Sequence, residues 1–237
     1  ACLLESAAGD IAVPEEELTN YELGFKGRLW NGRAQLTAAV YYAEWRKQNN
    51  RGGAVCPFPN GTTQTVFVTG SGGSTDLQGI ELEGSLAATE NLTLEASFAL
   101  NETEILSRDC SDCGGILGFN EIAGLGKEFS RTPRISGTVS ANYRGELTER
   151  TSWFVRGDYI YRGSMWATEA NLAETGDANR VNLRTGFEVD SLNVEFYATN
   201  LFNDKTLTGF QRFTDGATAA NATMLTAGLP EKRAYGV

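Results

Sequence analysis

The side chains best suited to chemistry are four cysteines and thirty carboxylates, and there is no histidine to work with them. The missing imidazole removes every His-based triad, every His-ligated zinc or haem site and the commonest general base. Cys110-Ser111-Asp112-Cys113 has the spacing of a redox or metal motif. A redox pair of this kind opens a helix in a thioredoxin-like unit, and no such unit surrounds it. Structural zinc needs a second ligand pair, and only Cys2 and Cys56 remain. The Cys110–Cys113 pair is therefore read as a disulfide tying one loop. Cys2 and Cys56 either bridge two loops or leave Cys2 alone, and spacing does not choose. Cysteines confined to loops suit an oxidising compartment.

Among the carboxylates, Glu81 and Glu83 share one strand face, like the acid pair of a glycosidase. Nothing around them suggests a substrate cleft or burial. No catalytic residue, cofactor site or metal site is expected, and the chain is not read as an enzyme. Gly70 to Gly73 form a loop with no following helix, so they do not cradle phosphate. Loop aromatics are the remaining candidates: Trp166 in Gly163-Ser164-Met165-Trp166, and Phe210 and Phe213 in Phe210-Gln211-Arg212-Phe213. Such rings can grip a small ligand, or they can anchor and pack the loops that carry them.

The net charge of -10 makes nucleic acid a poor partner, because phosphate binding needs a basic face. The charge is segregated. Residues 101–133 carry six acidic and three basic side chains, whereas 46–77 carry three basic and one acidic. No stretch approaches the roughly 18 apolar residues of a membrane helix, which leaves a barrel open. Ala1-Cys2-Leu3-Leu4-Glu5 has none of the marks of a signal peptide, and the chain is expected to be part of a longer polypeptide.

These residues must be positioned by strands, because two-residue alternation dominates the chain. Tyr21, Leu23, Phe25 and Leu29 oppose Glu22, Lys26 and Arg28, and an Asn31-Gly32 hairpin signal follows. Leu36, Ala38, Val40 and Tyr42 continue the apolar face. Beyond a long polar loop, Ile80, Leu82 and Leu86 alternate with Glu81, Glu83 and Ser85. Leu92, Leu94, Ala96, Phe98 and Leu100 alternate with Thr93, Glu95 and Ser97. The pattern returns at Ile135–Arg144, Trp153–Tyr161, Val181–Glu188 and Asn193–Thr199, and opens again at Lys232–Val237. This gives eight strands and the start of a ninth. Connections alternate between turns of about 2–7 residues and loops of about 17–35, the arrangement of an outer-membrane barrel. The polar face, with Arg144, Arg156, Asp158, Arg184, Glu188 and Glu195, faces a lumen in a barrel or water in a soluble sandwich. Aromatics near strand ends (Trp30, Tyr42, Trp45, Trp153, Tyr161, Tyr235) favour the membrane.

Several segments resemble the closing strands of TonB-dependent outer-membrane receptors. They are Asn20-Tyr21-Glu22-Leu23-Gly24-Phe25-Lys26-Gly27, Ala38-Ala39-Val40-Tyr41-Tyr42, Gln78-Gly79-Ile80-Glu81-Leu82-Glu83-Gly84, Thr132-Pro133-Arg134, Asn200-Leu201-Phe202-Asn203-Asp204-Lys205 and Leu229–Val237. They lie in family order across most of 14–237. The resemblance implies an all-β, antiparallel transmembrane barrel of the 22-stranded, plugged type, with residues 1–237 holding about its last nine strands. The resemblance also implies a plug domain and the end of a final strand that residues 1–237 are expected to lack. It further implies a receptor in the outer membrane of a Gram-negative bacterium. Its partners would be outer-membrane lipid, TonB (reached through the missing N-terminal region) and a small ligand. A ferric siderophore is the default cargo, with vitamin B12, haem and sugars as alternatives. A passive porin-like barrel and a soluble β-sandwich carbohydrate-binding module are the rival readings.

Overall fold

The computed structural model describes residues 15–57, 61–109, 121–214 and 223–237. Twelve strands form, and no helix is found among the described residues: β1 (Glu17–Leu29), β2 (Ala34–Pro57), β3 (Thr63–Ala87), β4 (Leu92–Asp109), β5 (Glu121–Lys127), β6 (Ile135–Thr148), β7 (Thr151–Arg162), β8 (Ala178–Val189), β9 (Leu192–Thr199), β10 (Gly209–Thr214), β11 (Thr223–Gly228) and β12 (Ala234–Gly236). Nine of them lie side by side in the order β1-β2-β3-β4-β6-β7-β8-β9-β12. Each pairs antiparallel with the next, as consecutive alternating runs joined by tight turns require. These nine are the nine that alternation predicts.

The register lines up the alternating apolar residues of successive strands on one face. Leu23 pairs with Val40, Val40 with Ile80, Ile80 with Leu100 and Leu100 with Ile135. Val139 pairs with Tyr159, Tyr159 with Val181, and Phe187 with Val194. A slip of one residue in any pair would turn a whole strand inside out. Yet this face is uncovered: Leu23 is 76% exposed, Val139 55% and Phe25 53%. Among the described residues no second sheet packs on it, which is what a soluble sandwich would need.

The four tight turns line one edge. Leu29 accepts from Gly32 N, with Trp30 and Asn31 both at positive φ. Arg33 N also donates to Trp30 O at 3.2 Å, so the loop between Leu29 and Ala34 is the Trp30-Asn31-Gly32-Arg33 turn that the Asn31-Gly32 signal marks. Arg33 ties this turn to the next, its guanidinium donating to the carbonyls of Ala87 (2.9 Å) and Ala88 (2.6 Å). Asn91 O accepts from Arg144 N, and Arg150 O from Asp190 N, so the remaining turns are stitched in sequence.

The other edge differs from expectation. The loop expected after Trp45 is largely strand, since β2 and β3 continue to pair from Asn49↔Ser71 out to Pro57↔Thr63. A bulge between Trp45 and Gln48, with Lys47 at φ 54°, breaks the alternation and hides the continuation. Similarly, the segment after Leu100 stays on β4 to Asp109 and is joined by β5, and the last long loop contains the β10–β11 hairpin.

One glycine is dictated by close approach. The Tyr41 hydroxyl donates to Asn101 Oδ1 at 2.6 Å, so its ring crosses β3 above Gly79. A Cβ at Gly79 would lie 2.5 Å from both the Tyr41 oxygen and the Leu100 carbonyl. Gly79→Val is therefore expected to lower stability by about 1–3 kcal/mol through overpacking. Gly24→Ala, whose Cβ meets nothing nearer than 3.7 Å, is expected to be close to neutral. Urea midpoints of the two variants check the contrast.

Candidate functional site

Alternation sets a charged wall on the face opposite the apolar one. Arg156 reaches across β6 to Glu95 (3.0 Å) and also holds Asp158 (2.9 Å), which accepts from the Ser140 hydroxyl at 2.7 Å. Arg144 pairs with Glu188 at 3.1 Å, and Ser152 donates to the same carboxylate at 3.2 Å. Arg184 lies 4.0 Å from Glu195. Lys26, Arg28, Glu81 and Glu83 make no ion pair among the described residues. Two cavities open on this face. One of about 520 Å³ is lined by Lys26, Thr37, Glu83, Glu95, Ser140 and Arg156. Another of about 390 Å³ is lined by Ala39, Glu81, Ser97, Ser136, Tyr161 and Arg162. The wall is thus wet and charged, and its ion pairs each contribute only about 0–1 kcal/mol.

At the long-loop end, connecting segments fold against this wall. Phe129 stacks on Trp45 with ring centres 5.9 Å apart, and the Arg108 guanidinium lies 5.1 Å from the Phe129 ring centre. Arg108 approaches Glu169 at 3.7 Å. The residue 163–177 loop buries Met165, Ala167 and Ala170. Trp166 Nε1 donates to Glu128 at 2.9 Å, and Trp166 O accepts from Arg131 N. Asn171, at φ 52°, accepts from Glu128 N and donates to Glu128 O. Trp166 therefore sits half-buried in a loop–loop contact. Phe210 lies in β10, half-buried, with its carbonyl accepting from Arg131 at 3.3 Å. Phe213 pairs through its backbone with Met224, and its side chain lies outside the described residues. Cys2, Cys110 and Cys113 also lie outside them, as does the side chain of Cys56.

The sequence reading missed the node at Asn200, which is 3% exposed. Its side chain donates to Asp204 O (3.0 Å) and Glu231 O (2.8 Å), and accepts from Asp204 N (2.7 Å). It thereby pins the approach to β12 against the end of β9. Asn200 and Asn203 both have positive φ, which asparagine tolerates better than most residues. That preference was the available signal.

The apolar face ends at both edges in aromatic rings and then in charge. Trp30 and the Tyr143–Trp153 ring pair (5.4 Å) mark the tight-turn edge. Toward the other edge lies Tyr42, whose hydroxyl donates to Asp76 at 2.9 Å. Beyond it stand Arg46–Asp76 (2.7 Å), Arg46–Glu44 (3.2 Å) and Arg134–Glu102. Eight residue steps from Ala34 to Tyr42, at about 3.3 Å per residue and a tilt near 45°, make a belt about 20 Å high. That is close to the apolar height of an outer-membrane barrel.

The family model for the TonB-dependent receptor-like β-barrel matches residues 6–201. The chain belongs to the TonB-dependent receptor β-barrel family. Solved structures of similar fold include the ferric yersiniabactin uptake receptor FyuA from Yersinia pestis, with 17% identity, a TM-score of 0.68, and coverage of 93% of this chain and 29% of that one. The ferric-catecholate import receptor Fiu from K12 E. coli gives 16% identity, 0.59, 97% and 30%. The ferripyoverdine receptor of the outer membrane of Pseudomonas aeruginosa, bound to ferripyoverdine, gives 15%, 0.61, 92% and 26%. The chain thus spans under a third of the length of these structures. Among curated proteins none matches it. In a receptor barrel of this family the charged wall is the lumenal face.

Two expectations follow. Trp166→Phe keeps the ring but removes the bond to Glu128. It is expected to cost about 1 kcal/mol and to speed proteolysis within the 163–177 loop. Burial raises the Asp204 carboxyl, but hydrogen bonds from Thr206 and from Asn179 N, together with the Arg180 charge, outweigh it and hold it below the usual aspartate range. A carboxyl depressed in the folded state adds stability above its unfolded value, about pH 3.9. That stability is lost as pH falls through the folded value. Hydrogen-exchange protection factors at residues 200–204 are expected to fall in acid, and Asp204→Asn to abolish that acid dependence.

Proposed function

We propose that this chain forms part of the barrel wall of a Gram-negative outer-membrane receptor that imports a scarce ligand, a ferric siderophore or similar iron complex, under TonB coupling. The observation that carries this reading is the single-layer sheet, with its apolar belt exposed on one side and its charged, loop-roofed wall on the other. Such a sheet has hydrocarbon on the outside and a polar passage on the inside. The family membership supports active import, and the names of the fold relatives support iron complexes as cargo. The lumenal face leaves Glu81, Glu83, Lys26 and Arg28 without ion pairs among the described residues. They are the groups that a plug domain in the same polypeptide would meet. Trp166, in the 163–177 loop, and Phe210 and Phe213, in the β10–β11 hairpin, are proposed as ligand contacts. Cys110 and Cys113 are proposed to close a disulfide that stiffens their loop.

Uptake of radiolabelled iron complexes by iron-starved cells tests the reading. Cells expressing the intact receptor are expected to accumulate a complex that receptor-deleted cells do not. Removing TonB should reduce that uptake to background. Uptake that persists without TonB would mean a passive porin-like barrel instead.

A further inference from the structure

The apolar face is not evenly filled. One register row across it runs Leu36–Gly84–Ala96–Val139. The next row away from the tight turns carries Leu82 and Phe98, and the next row toward them carries Leu86 and Leu94. Two of the smallest residues thus sit between four large ones. The result is a dent of about 390 Å³ in the outward surface, bounded at the tight-turn edge by Leu29 and Trp30. Its lining residues at outward register positions are all apolar.

Arg33 stands at the foot of this dent. It precedes Ala34 and bonds to Ala87, the residue after Leu86, and both Ala34 and Leu86 line the dent. Its Nε and Nη2 donate to Ala87 O (3.1 and 2.9 Å), and Nη2 donates also to Ala88 O (2.6 Å). Its own carbonyl accepts from Ala87 N at 2.8 Å. The guanidinium is therefore held along one side, while Nη1 makes no hydrogen bond among the described residues. Arg33 is exposed. It makes no ion pair among the described residues, although Glu90 lies in the turn that it staples.

Lipid tails are as apolar as leucine, so a dent draws a chain by packing alone. A cation fixed at the membrane edge adds a second attraction, for phosphate. The tight turns of an outer-membrane barrel lie on the periplasmic side. A phospholipid of that leaflet has the matching shape, with chains along the belt and a phosphate at its edge.

We infer that the dent is a phospholipid site of the periplasmic leaflet, with an acyl chain over Gly84 and Ala96 and the phosphate on Arg33. The bound phosphate then joins a cation that already ties the β1–β2 turn to the β3–β4 turn. The inference needs the barrel to cross a membrane and does not depend on the cargo. Loss of iron uptake and loss of lipid binding are therefore separate outcomes.

Native mass spectrometry of the intact receptor in detergent tests it, with dioleoylphosphatidylglycerol and dioleoylglycerol as probes. The two share their chains and differ in the phosphate headgroup. The first phosphatidylglycerol is expected to bind about fivefold more tightly than the first dioleoylglycerol. Arg33→Gln should remove that preference, and Arg33→Lys, which keeps the charge but not the staple, should retain part of it. Gly84→Leu fills the dent. Its Cβ would meet Gln35 O at 3.4 Å and Leu36 Cδ1 at 3.9 Å, both ordinary contacts. It should weaken phosphatidylglycerol binding by about threefold. Leu183→Phe, on the same face four strands away, should change neither lipid. Equal affinity for the two lipids, or an unchanged preference in folded Arg33→Gln, would overturn the inference. So would Arg33→Lys behaving as Arg33→Gln does, which would make the arginine a staple only. Unchanged binding in Gly84→Leu, or an equal effect of Leu183→Phe, would leave no role for the dent and would overturn it as well. If Arg33→Gln does not fold, the lipid comparison and Gly84→Leu carry the test.

Discussion

Everything in this structure depends on backbone hydrogen bonds made sideways, from strand to strand, within one layer. A single-layer sheet with no second sheet packed on it cannot borrow partners from a packed core. Where one face meets hydrocarbon, it cannot borrow them from water either. Each strand must satisfy its neighbour along the full height of the belt. The pairing obliges: β3 and β4 run in register from Leu77↔Thr103 to Ala87↔Thr93 without a break, and β7 and β8 from Thr151↔Val189 to Arg162↔Ala178. Once the backbone is committed in this way, side chains are left to decide only which solvent each face meets. The two-residue period decides that for all nine strands together.

That same economy is why so much of the fold was legible. A strand seen by two different solvents must alternate cleanly, and each alternating run in the sequence is a strand in the sheet. What escaped was the part that leaves the membrane. Above Tyr42 the outward positions become Glu44 and Arg46, and the bulge before Gln48 shifts the phase. Alternation there no longer separates apolar from polar, although Thr63 to Thr69 is rich in β-branched residues and could have been read as strand. The candidate site was legible only in part. The lumenal charges followed from the period, and Trp166 could be placed in a loop. Its bond to Glu128, however, joins residues from loops far apart in the chain. The pairing of Arg162 with the 207–208 backbone is equally long-range.

The loops replace a hydrophobic core with asparagine. Asn171 and Asn200 both adopt left-handed backbone conformations, and each bonds main-chain groups of a neighbouring segment. Leu207 and Thr208 are held in the same manner by Arg162. Few apolar side chains are buried at this end, chiefly Ile105, Met165, Ala167 and Ala170. Segments held mainly by polar bonds open locally at lower free energy than paired strands do. A strand-paired wall thus carries connecting segments that are held mainly by polar bonds.

This division bears on how the lumenal charges should be understood. In a wet passage an ion pair adds little to stability, so stability does not explain why this wall carries so many charged groups. Arg144, Arg156 and Arg184, each with a carboxylate in reach, form a wall whose field is largely cancelled at close range. Glu81, Glu83, Lys26 and Arg28 lie where that cancellation is incomplete. Uncancelled charge acts at a distance on whatever approaches it.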